Sequence, residues 1–247
     1  MTAPPTRHLP AGYQLFARYA FPPNELGYCG PADTAARPGD DPDELASRAR
    51  EFDGAWPYLH SIAEATGADP LDADVVRSYW VGGPLLARAD PSVLLTQLRK
   101  AFQGQVTGRL ATVTTAGPGD VLAHHSFHVF VVYPWIRFLD RDPDTALRVL
   151  QNCRIRWGTV RSVEAEHVVV ESGPLILDND VLTIGEPVAE RIRWSRDGKS
   201  LTGVPRPGDT VSAHWDWVCD TLTLDETSAL ADATRATLNL VNTGGRP

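Results

Sequence analysis

The sequence predicts an α+β protein, with a mainly helical part over residues 1–151 followed by a small β-barrel and a C-terminal helix over residues 152–247. Three observations carry this expectation. Up to Gln151 the apolar residues fall at helical spacing behind Asp-Pro start signals. From Cys153 the spacing changes to alternation of period two, interrupted by Gly and Pro. Thr223 and Glu226 then form a capping-box pattern ahead of a last helix expected to reach Asn242.

Taken in order, Asp41-Pro42 opens a helix expected over 42–66, and Asp90-Pro91 places proline at the first helical position of another over 91–103. Between them, Asp69-Pro70 and Gly82-Gly83-Pro84 bracket a helix from Asp72 to Val81, while the acid-rich run from Ala32 to Asp43 reads as a surface loop. Val121 to Leu139 is nearly continuous in apolar residues, which suits a buried helix bent at Pro134, where a backbone hydrogen bond is missing. Asp142-Pro143 caps a short helix ending near Gln151. Arg154, Arg156 and Arg161 then interleave with Ile155, Trp157 and Val160 across Gly158 as a first strand, followed by a Val-rich strand from His167 to Ser172. Shorter strands are expected at Leu175–Leu177, Val181–Ile184 and Val188–Trp194, and this density of short strands and turns predicts a barrel. Val211 to Trp217 alternates strictly, with Val211, Ala213, Trp215 and Trp217 on one face and Ser212, His214 and Asp216 on the other.

Composition narrows the function. A chain of 247 residues with 43% hydrophobic and 22% charged residues is that of a folded protein of one large or two small domains. The net charge of −8 supplies no basic footprint for phosphate neutralisation, so nucleic acid is not an expected partner. The apolar stretch from Val121 to Ile136 holds three histidines and a proline and is too short and polar to span a bilayer, so no membrane partner is expected. Met1 to Pro10 lacks an apolar core of signal-peptide length, and the expected location is the cytoplasm. Cys29, Cys153 and Cys219 are odd in number and widely spaced, against both a disulfide framework and a zinc ribbon. Gly-rich phosphate loops are absent, so no nucleotide is expected.

Two runs in the C-terminal part carry a family resemblance. Cys153 to Val160 reads Cys-Arg-Ile-Arg-Trp-Gly-Thr-Val, and Pro207 to His214 reads Pro-Gly-Asp-Thr-Val-Ser-Ala-His ahead of an acidic helix. The stretch from Cys153 to Asn242 thereby resembles the HypC/HupF-type hydrogenase assembly chaperones, small OB-like barrels closed by a C-terminal helix. The resemblance implies that Cys153 and His214 lie close together and ligate iron that carries cyanide and carbonyl, with the hydrogenase large subunit and other maturation proteins as partners. The long interval between the two residues places an insertion between Leu175 and Thr202. The whole chain is also similar to an uncharacterised actinobacterial family associated with hydrogenase gene clusters, through Phe16 to Asn24, Gly27 to Pro31 and His124 to His128.

Read from the residues alone, Cys153 falls in the apolar phase of its strand with Ile155 and Trp157, which favours a small buried core residue; only the resemblance brings the ligand role level with it. Flanking Arg154 and Arg156 would favour its thiolate. His214, on the polar face, is either an exposed histidine or a ligand oriented by Asp216. Cys219 reads as structural. His124, His125 and His128 form the densest cluster in the helical part; on a helix, 124 and 128 share a face and are suited to a transition metal, yet no third ligand follows, so packing is the favoured role. Cys29, in Gly27 to Pro31, is a candidate reactive thiol without a sequence-local base. Three functions follow: a non-catalytic accessory factor for nickel-iron hydrogenase, a metal- or thiol-dependent enzyme centred on His124, His125, His128 and Cys29, or a metal-free interaction module.

Overall fold

A computed structural model describes residues 11–24, 47–115 and 121–243, and the architecture within them is α+β. Helix α1 (Ala11–Asn24) lies against α3 (Ala73–Trp80), with α2 (Trp56–Thr66) and α4 (Pro91–Ala101) completing the first layer. The start signals work as the residue types demand: Asp90 accepts from the backbone N–H groups of Ser92 and Val93, and Asp72 accepts from that of Asp74. The helix expected over 42–66 is interrupted where it is described: residues 47–50 are helical before the helix breaks off at 51–55. Residues 51–55 form turns, and α2 begins only at Trp56, followed by Pro57 at a position that tolerates proline. The loop expected at Ala32 to Asp43 and the capping residues Asp41-Pro42 lie outside the described residues.

The apolar run from Val121 is not one bent helix. A single turn, His125–Phe127, passes into a π-helical turn over His128–Val132, Tyr133 is extended at ψ 136°, and a 3-10 turn follows over Pro134–Phe138. The break falls at Tyr133 because proline disfavours helical backbone in the residue before it. Helix α5 (Pro143–Cys153) then leads into the barrel.

The barrel strands are β1 (Arg156–Val163), β2 (His167–Ser172), β5 (Val188–Arg193), β6 (Thr210–His214) and β7 (Trp217–Leu222), closed in the order β1-β2-β5-β7-β6. Neighbours are antiparallel except β5 and β7, which meet in parallel at Arg193 and Trp217. Strands β3 (Leu175–Asp178) and β4 (Val181–Ile184) form a separate hairpin within the stretch where an insertion was expected. Asn242 clamps that hairpin to the last helix, α6 (Leu224–Thr243), exchanging two 2.9 Å hydrogen bonds with the Leu182 backbone. The predicted capping box opens α6, the Glu226 carboxylate accepting from Thr223 N–H at 2.8 Å and Thr223 Oγ1 from Glu226 N–H at 3.2 Å.

The expected strand from Val211 to Trp217 is in fact two strands and a tight turn. Trp215 takes φ +49°, and the chain reverses so that His214 pairs with Trp217. A left-handed backbone costs a residue with a Cβ about 1–2 kcal/mol, and two contacts hold it: Trp215 N–H donates to the Asn152 carbonyl at 2.8 Å, and Arg156 Nη2 donates to the Trp215 carbonyl at 2.6 Å. Both faces of β6 are buried, since Val211 and Ala213 fill a small apolar core inside the barrel while Ser212 and His214 face the helical part. The main core runs unbroken from the α1–α4 layer through Cys153, Trp215 and Cys219 to α6, so it crosses residue 151.

Candidate metal centre

Three separate segments converge on one buried point. Cys153 ends α5, His214 ends β6, and His125 opens the turn before the π-helical segment. One donor atom from each lies within 4.8 Å of the others, and all three residues are buried. A four-coordinate ion with bonds of about 2.0–2.3 Å holds its donors roughly 3.3–3.8 Å apart, so closure on the order of 1 Å would bring the three into bonding range.

The convergence follows from how each element is tied down. The Trp215 turn is bonded to Asn152, next to Cys153, which fixes the end of β6 over the end of α5. His214 Nδ1 lies 2.8 Å from the Tyr19 carbonyl of α1. A carbonyl only accepts, so Nδ1 carries the proton and Nε2 of the neutral ring carries the lone pair, the tautomer a metal ligand needs. Tyr19 itself is anchored by its hydroxyl, 2.7 Å from Ser212 Oγ, and by stacking on Trp80 at 5.4 Å. Ion pairs from Arg18 and Arg77 to Asp220 lock α1 and α3 against β7.

His125 is held at both nitrogens. Nε2 donates to the Cys153 carbonyl at 2.9 Å, and Nδ1 lies 2.9 Å from Tyr79 Oη, which also reaches the Gly54 carbonyl at 2.6 Å. The Tyr79 proton therefore has two acceptors. In this arrangement Nε2 carries the proton that the Cys153 carbonyl accepts and Nδ1 accepts from Tyr79, so ligation through Nε2 requires the proton to move to Nδ1, the Tyr79 hydroxyl to turn to the Gly54 carbonyl and the Cys153 carbonyl contact to be released. Burial, with His214 and His128 nearby, pushes the His125 pKa well below its ordinary value, which keeps the ring neutral and able to ligate.

Cys153 and His214 meet. Cys153 closes a helix rather than opening a strand, and facing inward places its sulfur among the histidines. His214 is buried, not on an exposed polar face, and its orienting partner is the Tyr19 carbonyl instead of Asp216. Of the histidine cluster, His125 joins the site, where helical spacing had paired 124 with 128. His124 precedes the turn in an extended conformation, and its Nδ1 accepts from Ser126 N–H at 3.0 Å. His128 stacks near Tyr133 at 6.1 Å and has Nδ1 3.4 Å from Tyr58 Oη. Arg154 and Arg156 are buried and committed elsewhere: Arg154 to Gln151 Oε1 and the Gly173 carbonyl, Arg156 to Glu190 and three carbonyls. Cys219 is a core residue whose thiol pKa is raised by burial. Cys29 lies outside the described residues. Tyr79, Tyr19 and Trp80, which orient or pack on the histidines, have no local sequence signal beyond being aromatic.

A cavity of about 540 Å3 adjoins the centre, and Cys153 and His125 form part of its wall. His128 also lines it.

The family profile of DUF6390, a family of unknown function, matches residues 8–246, and this decides the family. The chain belongs to DUF6390. No curated protein and no solved structure matches it. No described helix is long and apolar enough to cross a membrane.

Burial also makes this region acid-sensitive. It lowers the His128 pKa to about 4 and that of His124 to about 3. In the unfolded chain both protonate below about 6.5. Their contribution to stability is thus complete above that value and lost as pH falls towards 4. The urea midpoint of the metal-free protein is expected to drop between pH 7 and pH 4.5 by the equivalent of about 2–3 kcal/mol for His128 alone, and His128→Gln should flatten that part of the slope. An unchanged slope in the variant would remove His128 from this account.

Proposed function

We propose that this protein is a metal-binding accessory factor that carries an iron unit with cyanide and carbonyl ligands for nickel-iron hydrogenase maturation. Cys153, His214 and His125 supply the protein ligands. The observation that supports this best is the meeting of Cys153 and His214, the two residues marked by the HypC-type resemblance, from opposite ends of the barrel sequence. Thiolate and imidazole are soft and borderline donors suited to iron, copper or zinc. Strongly ligated low-spin iron needs few protein donors, and the adjoining cavity leaves room for its diatomic ligands. The partners in this reading are the hydrogenase large subunit and other maturation proteins.

A metal-dependent enzyme is the second reading, favoured by one observation: the cavity is far larger than diatomic ligands require. Purification without oxygen, metal analysis and infrared spectroscopy separate the two. Iron with cyanide and carbonyl bands is the result expected of a carrier. One iron or zinc per chain without such bands favours the enzyme, and no metal at the three residues sinks both.

Tyr79→Phe tests the positioning of His125. Without the hydroxyl, Nδ1 loses the group that sets its tautomer, and metal affinity measured against a chromophoric chelator is expected to fall about tenfold or more. Stability of the metal-free protein should fall by about 1–3 kcal/mol, because the Gly54 carbonyl and His125 Nδ1 both lose their bond to the hydroxyl.

A further inference from the structure

The cavity beside the metal ligands has a chemistry of its own. At about 540 Å3 it lies within the range of about 300–1,000 Å3 usual for organic ligands, whereas a diatomic is little larger than a water of about 30 Å3. Its walls are aromatic on several sides, with Tyr79, Trp80, Phe102, His128 and Tyr133 all contributing. Gly54 keeps the floor open, since a Cβ there would lie 3.0 Å from His128 Nε2. No lysine or arginine occurs among the described lining residues, and the exposed acids Glu51 and Asp53 stand at the cavity. An anionic ligand would therefore find no countercharge and would be repelled.

We infer that this cavity binds a flat, uncharged heteroaromatic molecule, which presents a lone pair to the metal held by His125, Cys153 and His214. The inference rests on the metal-binding reading and adds the class of molecule that shares the site. The aromatic walls give the ring edge and face contacts, and the missing cations set the charge preference. Neither feature is needed to hold a metal alone.

The experiment uses the full chain loaded with Co(II), whose visible bands report both metal binding and a change of ligand. It is titrated with 4-phenylimidazole, with imidazole, and with 4-(imidazol-4-yl)benzoate, the anionic counterpart. The expected order is 4-phenylimidazole tighter than either of the others by about tenfold or more. Gly54→Leu, which fills the floor, should abolish that advantage and leave imidazole binding unchanged. If that variant fails to fold, Val106→Arg, at an exposed lining residue, is the second arm and should tighten the benzoate severalfold relative to 4-phenylimidazole. Equal affinities for all three probes in the Co(II) protein would overturn the inference while leaving the metal site intact. Absence of Co(II) bands would instead overturn the metal reading. Quenching of tryptophan fluorescence by 4-phenylimidazole in the metal-free protein would then still test the cavity, and no quenching would overturn that as well.

Discussion

Alanine at Cys153, His214 or His125 is expected to lower affinity for Fe(II) or Zn(II) about a hundredfold or more in each case, and the same change at His124 or Cys219 to leave it within a fewfold of the parent. The three donors come from segments that meet only in the folded chain, so each removal deletes one of three bonds and cannot be replaced from a neighbour. Outer partners that merely orient a ligand cost about 10–100-fold, which sets the floor for losing the ligand itself. His124 is the sharpest control because it is adjacent to His125 yet bonded to Ser126. Cys219 controls for thiol chemistry, being fully buried with its thiol pKa raised. Competition with a chelator gives the affinities, and far-UV circular dichroism shows that each variant is folded. If His124→Ala and His128→Ala removed the metal while His125→Ala retained it, the helix-face pairing read from the sequence would be right and the centre described here wrong.

Much of the fold is legible in the sequence, for reasons specific to the elements. Asp72, Asp90, Asp142 and the Thr223–Glu226 pair mark helix starts because capping is local: donor and acceptor lie within three residues. Strands β2, β3 and β4 follow the Val- and Leu-rich runs because the run of β-forming residues between turn residues is itself a local signal. What was hidden depended on distant contacts. Val211 to Trp217 alternates as one strand would, but the Asn152 carbonyl and Arg156 stabilise a left-handed Trp215 and split it. That split buries His214 on the face that polarity had assigned to solvent. His125 was indistinguishable from His124 and His128 because its role is set by Tyr79 and by the Cys153 carbonyl, 46 and 28 residues away in sequence. The apolar run to Leu139 gave no warning of its π-helical turn, whose backbone pairing has no composition signature.

Gly158→Ala is expected to destabilise the protein by about 3 kcal/mol and to weaken metal binding with it. Gly158 lies in β1 between two partners, opposite Ser172 of β2 and Val211 of β6. A Cβ at this position would stand 2.2 Å from the Glu171 carbonyl oxygen and 2.7 Å from Val170 Cγ1. The first obstacle is backbone, which cannot rotate away, so β2 must lift from β1 and give up ladder hydrogen bonds. Overpacking of this kind costs about 1–3 kcal/mol and occasionally more, and a backbone obstacle belongs at the upper end. The displacement reaches the site because β1 also holds β6, whose last residue is His214, while Arg156 on β1 braces the Trp215 turn. Gly203→Ala is the matched control, since a Cβ there meets nothing within 4 Å. Urea unfolding of the metal-free proteins should show the large loss for Gly158→Ala and almost none for Gly203→Ala. Titration at a temperature where both remain folded should show weaker metal binding only for Gly158→Ala. If Gly158→Ala proved as stable as Gly203→Ala, the close approach of β1 to β2 would be refuted, and with it the reason a glycine stands in the run from Cys153 to Val160.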